Sequence, residues 1–128
     1  MNTRTALFVA CVLGFLAVAL GAFGAHGLEP IFAEGGQKRS EWWNTAAQYH
    51  LVHALALGLV SRIVGQHRGA GIAAWCFLLG TLLFSGSLYA LALTELRWLG
   101  MVTPFGGTLF LVGWGSFAVA ALRARSGE

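Results

Sequence analysis

At 128 residues the chain has about the length of one domain, which argues against several independently folded units. Hydrophobic residues make up 57% of it and charged residues only 10%, whereas soluble domains carry about 25% charged residues, so the composition excludes a water-soluble globule. The formal net charge of +3 comes from basic residues scattered singly or in pairs between apolar runs, which excludes the clustered basic face that nucleic acid requires as a partner.

Four apolar runs, separated by charged residues, are long enough to cross a bilayer. A spanning helix needs about 20 apolar residues, because each residue adds about 1.5 Å towards roughly 30 Å of hydrocarbon. The expected spans are residues 6–25, 43–61, 70–94 and 99–122. Backbone groups in lipid must be hydrogen-bonded internally, so each span is expected to be helical. We therefore predict an all-α fold, a polytopic transmembrane four-helix bundle that residues 1–128 form as a single transmembrane domain.

The first run also has features of a cleaved signal peptide. Arg4 precedes it, and small residues near Ala25 resemble a cleavage zone. The apolar part of a signal peptide is usually about 7 to 15 residues, however, and this run is longer. We interpret residues 6–25 as a membrane span.

The connections and their charges predict a topology. The connections after the second and third spans are short enough to force antiparallel neighbours, and only residues 27–41 form a longer loop. Basic residues on the side of the two termini are Arg4, Arg62, Arg68, Arg123 and Arg125, and those on the opposite side are Lys38, Arg39 and Arg97. The positive-inside rule then places both termini in the cytoplasm (N-in/C-in) and residues 27–41 in an outer loop.

Small residues recur at four-residue steps in the first span and are frequent in the fourth. This spacing lets helix backbones approach closely in lipid, so the first and fourth helices are expected to be close-contact elements. The same pattern serves packing within one chain and pairing of two chains, which leaves a homo-oligomer or a larger membrane complex open as partners beside the membrane lipids. The candidate packing glycines are Gly14, Gly21, Gly24, Gly86, Gly106 and Gly107.

The second span contains polar residues that are costly in lipid. Thr45, Tyr49 and His53 repeat at four-residue steps, and His50 and His53 are neighbours on one helical face. Polar residues inside a membrane should face the bundle interior or a wet cavity. We predict a polar cluster in the outer half of the bundle that binds a ligand or forms a polar core. Its members are His26, Thr45, Gln48, Tyr49, His50, His53, Ser85, Ser87, Tyr89 and Thr103.

Four interpretations of this cluster stay open. A metal site needs three or four converging ligands, which His26, His50 and His53 would have to supply without a specific zinc spacing. A quinone or haem pocket suits histidine and aromatic side chains, although two histidines on one helix cannot ligate both faces of one haem. A proton path could use imidazoles, whose unperturbed pKa is about 6.5. In the structural interpretation, the side chains hydrogen-bond one another and fix the register of the helices.

Signatures of catalysis are missing from the sequence. The chain has no Asp, the spans contain no Glu, and no nucleophile-elbow, zinc-protease or phosphate-loop motif occurs. We therefore expect no catalytic residue, no metal and no cofactor. Our hypothesis is a non-enzymatic membrane protein whose polar cluster organises the bundle and binds a small lipophilic ligand or a membrane partner. The alternatives are a small transporter or proton-conducting element that uses His50 and His53, and a metal- or quinone-linked redox component.

Several segments resemble one known family. They are Leu20 to Leu28 (LGAFGAHGL), Trp43 to His50 (WNTAAQYH), His53 to Leu57 (HALAL), Gly80 to Tyr89 (GTLLFSGSLY) and Thr103 to Gly107 (TPFGG). Together they are similar to the signatures of the domain-of-unknown-function 423 family, which includes bacterial inner-membrane proteins and eukaryotic transmembrane protein 256. The resemblance implies four spans and a multi-pass location in the bacterial inner membrane, and it assigns no catalytic role. The matching signature positions are His26, Thr45, Tyr49, His50, His53, Ser85, Gly86, Tyr89, Pro104 and Gly106.

Overall fold

The computed structural model describes residues 1–124, so the predicted cytoplasmic Arg125 lies outside the described residues. Within this part the chain is helical and has no strand, which confirms the all-α fold class. Its elements are α1 (Thr3–His26), α2 (Glu29–Glu34), α3 (Gln37–Val60), α4 (Arg68–Thr94), a 3₁₀ helix (Arg97–Met101) and α5 (Thr103–Arg123).

Three segments of the described chain are long and apolar enough to cross a membrane. They are α1, α4 and the segment Arg97–Arg123, which joins the 3₁₀ helix to α5. Helix α3 is as long as α1, at 24 residues, but its first turns are charged and its middle carries the polar stripe. The fourth crossing and the orientation with both termini in the cytoplasm therefore stay predictions.

Two helix boundaries differ from the predicted spans. The predicted loop 27–41 contains α2 and the first residues of α3, because Gly36 adopts a φ of +76° and lets the chain turn directly into α3. The predicted span 99–122 is divided at Val102, where the 3₁₀ helix ends and α5 begins. Pro104 in the first turn of α5 explains the division, since a proline ring clashes with the carbonyl four residues earlier in a continuous α-helix.

The helices pack in three principal pairs, α1 with α3, α3 with α4, and α4 with α5. Helix α4 is the most buried of the three apolar segments, and α1 and α5 expose most of their side chains. The small residues in the first and fourth predicted helices therefore pack against different neighbouring helices. Helix α1 packs on α3, and α5 packs on α4.

The candidate packing glycines occupy different surroundings. A methyl group at Gly24 would overlap the Trp43 indole, and one at Gly106 would overlap the backbone of Phe84. At Gly21 and Gly107 the nearest side-chain atoms would be 3.9 Å and 3.8 Å away, an ordinary contact. At Gly14 and Gly86 no atom would lie within 4 Å, so these two glycines are not at close helix contacts in this chain.

Arg39 connects three helices at the end of the bundle where α2 lies. The side chain of Arg39 is only 9% exposed. Nε and Nη2 donate hydrogen bonds to the carbonyls of Ala92 (2.7 Å) and Leu93 (2.9 Å) in the last turn of α4, and Nη1 donates to the Ile31 carbonyl of α2 at 3.3 Å. The sequence marked Arg39 only as a charge outside the spans, whereas the fold buries it as a connection between α2, α3 and α4.

Candidate functional site

The predicted polar cluster is divided by α3 into two separate sites. His50 and His53 are both buried on this helix. His50 contacts Tyr89 of α4, whereas His53 contacts Trp114 of α5. The two rings therefore have different neighbours, although their three-residue spacing puts them on adjacent positions of the helix.

Both ring nitrogens of His53 are occupied. Trp114 Nε1 donates to His53 Nε2 at 3.1 Å, and because an indole nitrogen can only donate, Nε2 must be the acceptor. The hydrogen of the neutral ring then sits on Nδ1, which donates to the Tyr49 carbonyl at 2.8 Å. The ring also stacks on Phe110, with centroids 3.5 Å apart and 7° between the planes. This side of the cluster is a satisfied structural core.

His50 has one occupied ring nitrogen and one without a partner. Nδ1 lies 3.0 Å from the Tyr89 hydroxyl. Nε2 is buried and has no hydrogen-bond partner by distance and angle, although the Leu13 carbonyl of α1 lies beside the ring. The Trp43 ring packs against Tyr89, with ring centroids 4.6 Å apart, and Trp43 Nε1 donates to the Leu20 carbonyl at 2.8 Å. The His50–Tyr89 pair thus has packed neighbours, yet one of its polar atoms is unpaired.

A cavity of about 160 Å³ lies against His50, between α1 and α4 and over α3. Leu16 and Leu82 at its edge are 42% and 56% exposed, so the cavity is open towards the surface of the bundle. On a membrane span that surface faces lipid. The lining residues are Leu13, Leu16, Leu20, His50, Thr81, Leu82, Ser85, Gly86 and Tyr89.

The other predicted site residues are distributed over the bundle. Ser85 lines the cavity and donates to the Ala46 carbonyl at 2.8 Å, which ties α4 to α3. Ser87 and Thr103 share a hydrogen bond of 2.6 Å between α4 and α5 and do not line the cavity. The remaining four predicted residues are exposed or half-buried and lie away from the cavity: His26, Thr45, Gln48 and Tyr49.

The three histidines that a metal site would require do not converge. His26 is exposed at the last residue of α1, and His50 and His53 face different helices. Within residues 1–124 no group of three or more His, Cys, Asp or Glu side chains is placed to hold a metal ion.

Sequence reasoning missed Trp114, Phe110 and Thr81. Trp114 and Phe110 complete the surroundings of His53, and Thr81 lines the cavity. One signal was available for Trp114, which lies well inside the fourth apolar run, away from the interfaces where tryptophans usually anchor. An indole N–H at that depth must find a hydrogen-bond partner, and a histidine is a natural acceptor.

Replacing the two histidines with leucine should separate their roles. We expect His53→Leu to lower the free energy of unfolding by about 2 to 3 kcal/mol, because it removes two hydrogen bonds and leaves the Trp114 N–H without its acceptor. His50→Leu should cost about 1 kcal/mol, since it removes one hydrogen bond and leaves the Tyr89 hydroxyl without its partner but also removes an unpaired nitrogen. Reversible unfolding in mixed micelles measures both, and equal losses would contradict this division of the cluster.

Comparison with known proteins gives consistent relatives. Residues 20–107 match the family described as "Protein of unknown function (DUF423)". The chain is 41% identical to UPF0382 membrane protein YwdK of Bacillus subtilis, over 91% of this chain and 95% of the relative. It is 43% identical to UPF0382 inner membrane protein YgdD of Escherichia coli K12, over 98% and 95% respectively. No solved structure matches the chain significantly.

These relatives confirm the predicted location. Proteins similar over nearly their whole length are membrane proteins of bacteria, one of them named an inner membrane protein. Three segments of the described chain have the length and composition of membrane spans. The chain is therefore a multi-pass protein of the bacterial inner membrane.

Proposed function

The chain belongs to the DUF423 family, and we propose that it binds a small lipophilic molecule in the cavity between α1, α3 and α4. The observation that supports this function is that His50, whose buried Nε2 has no hydrogen-bond partner, lines that cavity. A buried polar atom without a partner costs about 1 to 3 kcal/mol. A bound molecule that hydrogen-bonds to Nε2 would remove this cost, and the surrounding leucines would hold its apolar part.

The size of the cavity limits what can enter it. Its volume of about 160 Å³ is similar to that of an engineered cavity of about 150 Å³ that holds benzene. The buried part of the ligand is therefore about as large as one six-membered ring. A longer apolar tail can pass between Leu16 and Leu82 into the lipid, so the molecule would reach the cavity sideways from the membrane.

Other functions have less support in the geometry. A proton path through both histidines would need them to exchange protons, but Tyr49 and Trp114 occupy the two nitrogens of His53. A purely structural cluster accounts for His53 and leaves the unpaired nitrogen of His50 unexplained. Ligand binding at His50 together with a structural role for His53 accounts for both observations.

A cavity-filling variant tests the proposal. A methyl group at Gly86 would meet no atom within 4 Å, and this residue lines the cavity, so Gly86→Leu should fill it without overlapping the fold. Gly115→Leu is the matched control, because Gly115 is equally unobstructed and lies on α5 outside the cavity. Each protein is extracted with its surrounding membrane into polymer nanodiscs, and the bound small molecules are identified by mass spectrometry.

We expect a small molecule that copurifies with the wild type and with Gly115→Leu and that is lost from Gly86→Leu. Gly86→Ala adds a smaller group at the same position and should reduce the occupancy less. Thermal unfolding of each variant shows that it is folded. The same small molecules in the same amounts on folded wild type and Gly86→Leu would overturn the proposal.

A further inference from the structure

His50 and Tyr89 share a hydrogen bond at the cavity, and their hydrogens indicate what kind of molecule this cavity takes. We infer that the ligand is a neutral lipophilic molecule that presents a hydrogen-bond acceptor, such as a carbonyl oxygen, to this pair. The inference rests on the proposed function and adds the chemical class of the ligand.

The pair always has at least one donor left over. A neutral imidazole has one N–H and a tyrosine has one O–H, so the pair has two polar hydrogens and uses one of them in its mutual hydrogen bond. If Tyr89 donates to Nδ1, the N–H of His50 is on Nε2 and unpaired. If Nδ1 donates to Tyr89 instead, the tyrosine hydrogen is unpaired and Nε2 is an unpaired acceptor. A doubly protonated ring also leaves Nε2–H free, so every protonation state calls for an acceptor.

The remaining polar groups of the cavity cannot add a second donor. The Thr81 hydroxyl donates to the Phe77 carbonyl at 2.7 Å, and the Ser85 hydroxyl donates to the Ala46 carbonyl at 2.8 Å. Both hydroxyl hydrogens are therefore used, and only their oxygen lone pairs remain. The polar recognition available to an acceptor comes from His50 and Tyr89.

The lack of charged residues in the cavity lining selects a neutral acceptor over an anion. No Lys, Arg, Asp or Glu is among the residues that line the cavity. An unpaired carboxylate in this apolar setting would pay a large desolvation cost that no cation offsets. A carbonyl oxygen accepts the same hydrogen bond without that cost, and its apolar substituents fit the leucines.

Two probes of nearly equal shape test the inference. Acetophenone presents a carbonyl oxygen, and α-methylstyrene has a methylene group in its place. Each is titrated into the protein in lipid nanodiscs, with ¹⁵N-labelled histidine as the NMR reporter. The His50 signals are identified by their loss in His50→Leu. Gly86→Leu shows whether a response comes from the cavity, because it should abolish binding of both probes.

We expect acetophenone to bind about three- to tenfold more tightly than α-methylstyrene, the preference that one net hydrogen bond provides. It should also shift the His50 ring nitrogens saturably and leave those of His53 unchanged. In His50→Leu the preference should shrink or disappear. Equal binding of the two probes to the wild type would overturn the acceptor inference while supporting ligand binding in the cavity.

Two other outcomes count against the inference. If neither probe produces a saturable response that Gly86→Leu removes, both the acceptor inference and the proposed function fail. If Nε2–H is hydrogen-bonded in the protein without a probe, to the Leu13 carbonyl or to trapped water, and acetophenone leaves its signal unchanged, the unpaired donor does not select the ligand.

Discussion

Replacing Arg39 with alanine is expected to lower the free energy of unfolding by about 3 kcal/mol or more. The guanidinium is buried and donates three hydrogen bonds to the carbonyls of Ala92, Leu93 and Ile31. Hydrogen bonds that involve a charged group contribute about 1.5 to 3 kcal/mol each, and the effects of neighbouring bonds do not simply add. The α4 carbonyls belong to a C-terminal turn, where a cation also interacts favourably with the helix dipole.

Three further variants distinguish these hydrogen bonds from charge alone. Arg39→Lys keeps the charge but not the planar group that reaches several carbonyls, so it should recover only part of the loss. Glu95→Gln should cost about 0.5 kcal/mol or less, because Glu95 is half exposed and 3.9 Å from Arg39. Arg97→Ala removes an exposed arginine nearby and is the control. Unfolding of Arg39→Ala at the same denaturant concentration as Arg97→Ala would contradict the prediction.

Arg39 also shows where sequence reasoning stops. Its distance from the apolar run predicts a position outside the hydrocarbon, which says nothing about its partners. Those partners are carbonyls of α2 and α4, and the Ala92 and Leu93 carbonyls lie more than 50 positions away in the sequence. Backbone carbonyls have no residue-type signature, so only the fold could reveal the connection.

The two histidines show a similar limit inside the predicted cluster. Their cost in lipid correctly predicted burial, and both are at most 4% exposed. Their spacing also suggested one shared site. Two residues three positions apart differ in direction by about 60° around a helix, however, and this difference is enough for their side chains to meet different neighbours. Because α3 lies between α1 and α4 and also contacts α5 through side chains, this rotation decides which ring meets a cavity and which meets Trp114.

The boundaries and glycines were predictable to different degrees. Composition and run length were sufficient for α1, α4 and the apolar segment that ends in α5. The small-residue pattern could not tell Gly106, which touches a neighbouring backbone, from Gly14, which faces open space. A one-dimensional spacing gives the face of a helix on which a residue lies, and only the packed bundle shows what that face contacts.

Gly106→Ala is therefore expected to be among the most damaging single methyl additions in the bundle. The new methyl group would overlap the backbone nitrogen of Phe84 and would come within 2.7 Å of its Cβ and 2.8 Å of its Cα. These atoms belong to the α4 backbone and its first side-chain carbon, so no rotamer change relieves the overlap. The alternative is to separate α4 from α5, and overpacking of this kind costs about 3 kcal/mol.

Gly107→Ala is the matched control, because it adds the same group at the next residue. Its nearest contact would be Phe84 Cδ2 at 3.8 Å, an ordinary van der Waals distance. Alanine is also favoured over glycine in a helix by up to about 1 kcal/mol, so Gly107→Ala should be neutral or slightly stabilising. Reversible unfolding in mixed micelles compares the pair, and similar stability of the two variants would show that α4 and α5 do not approach each other closely at Gly106.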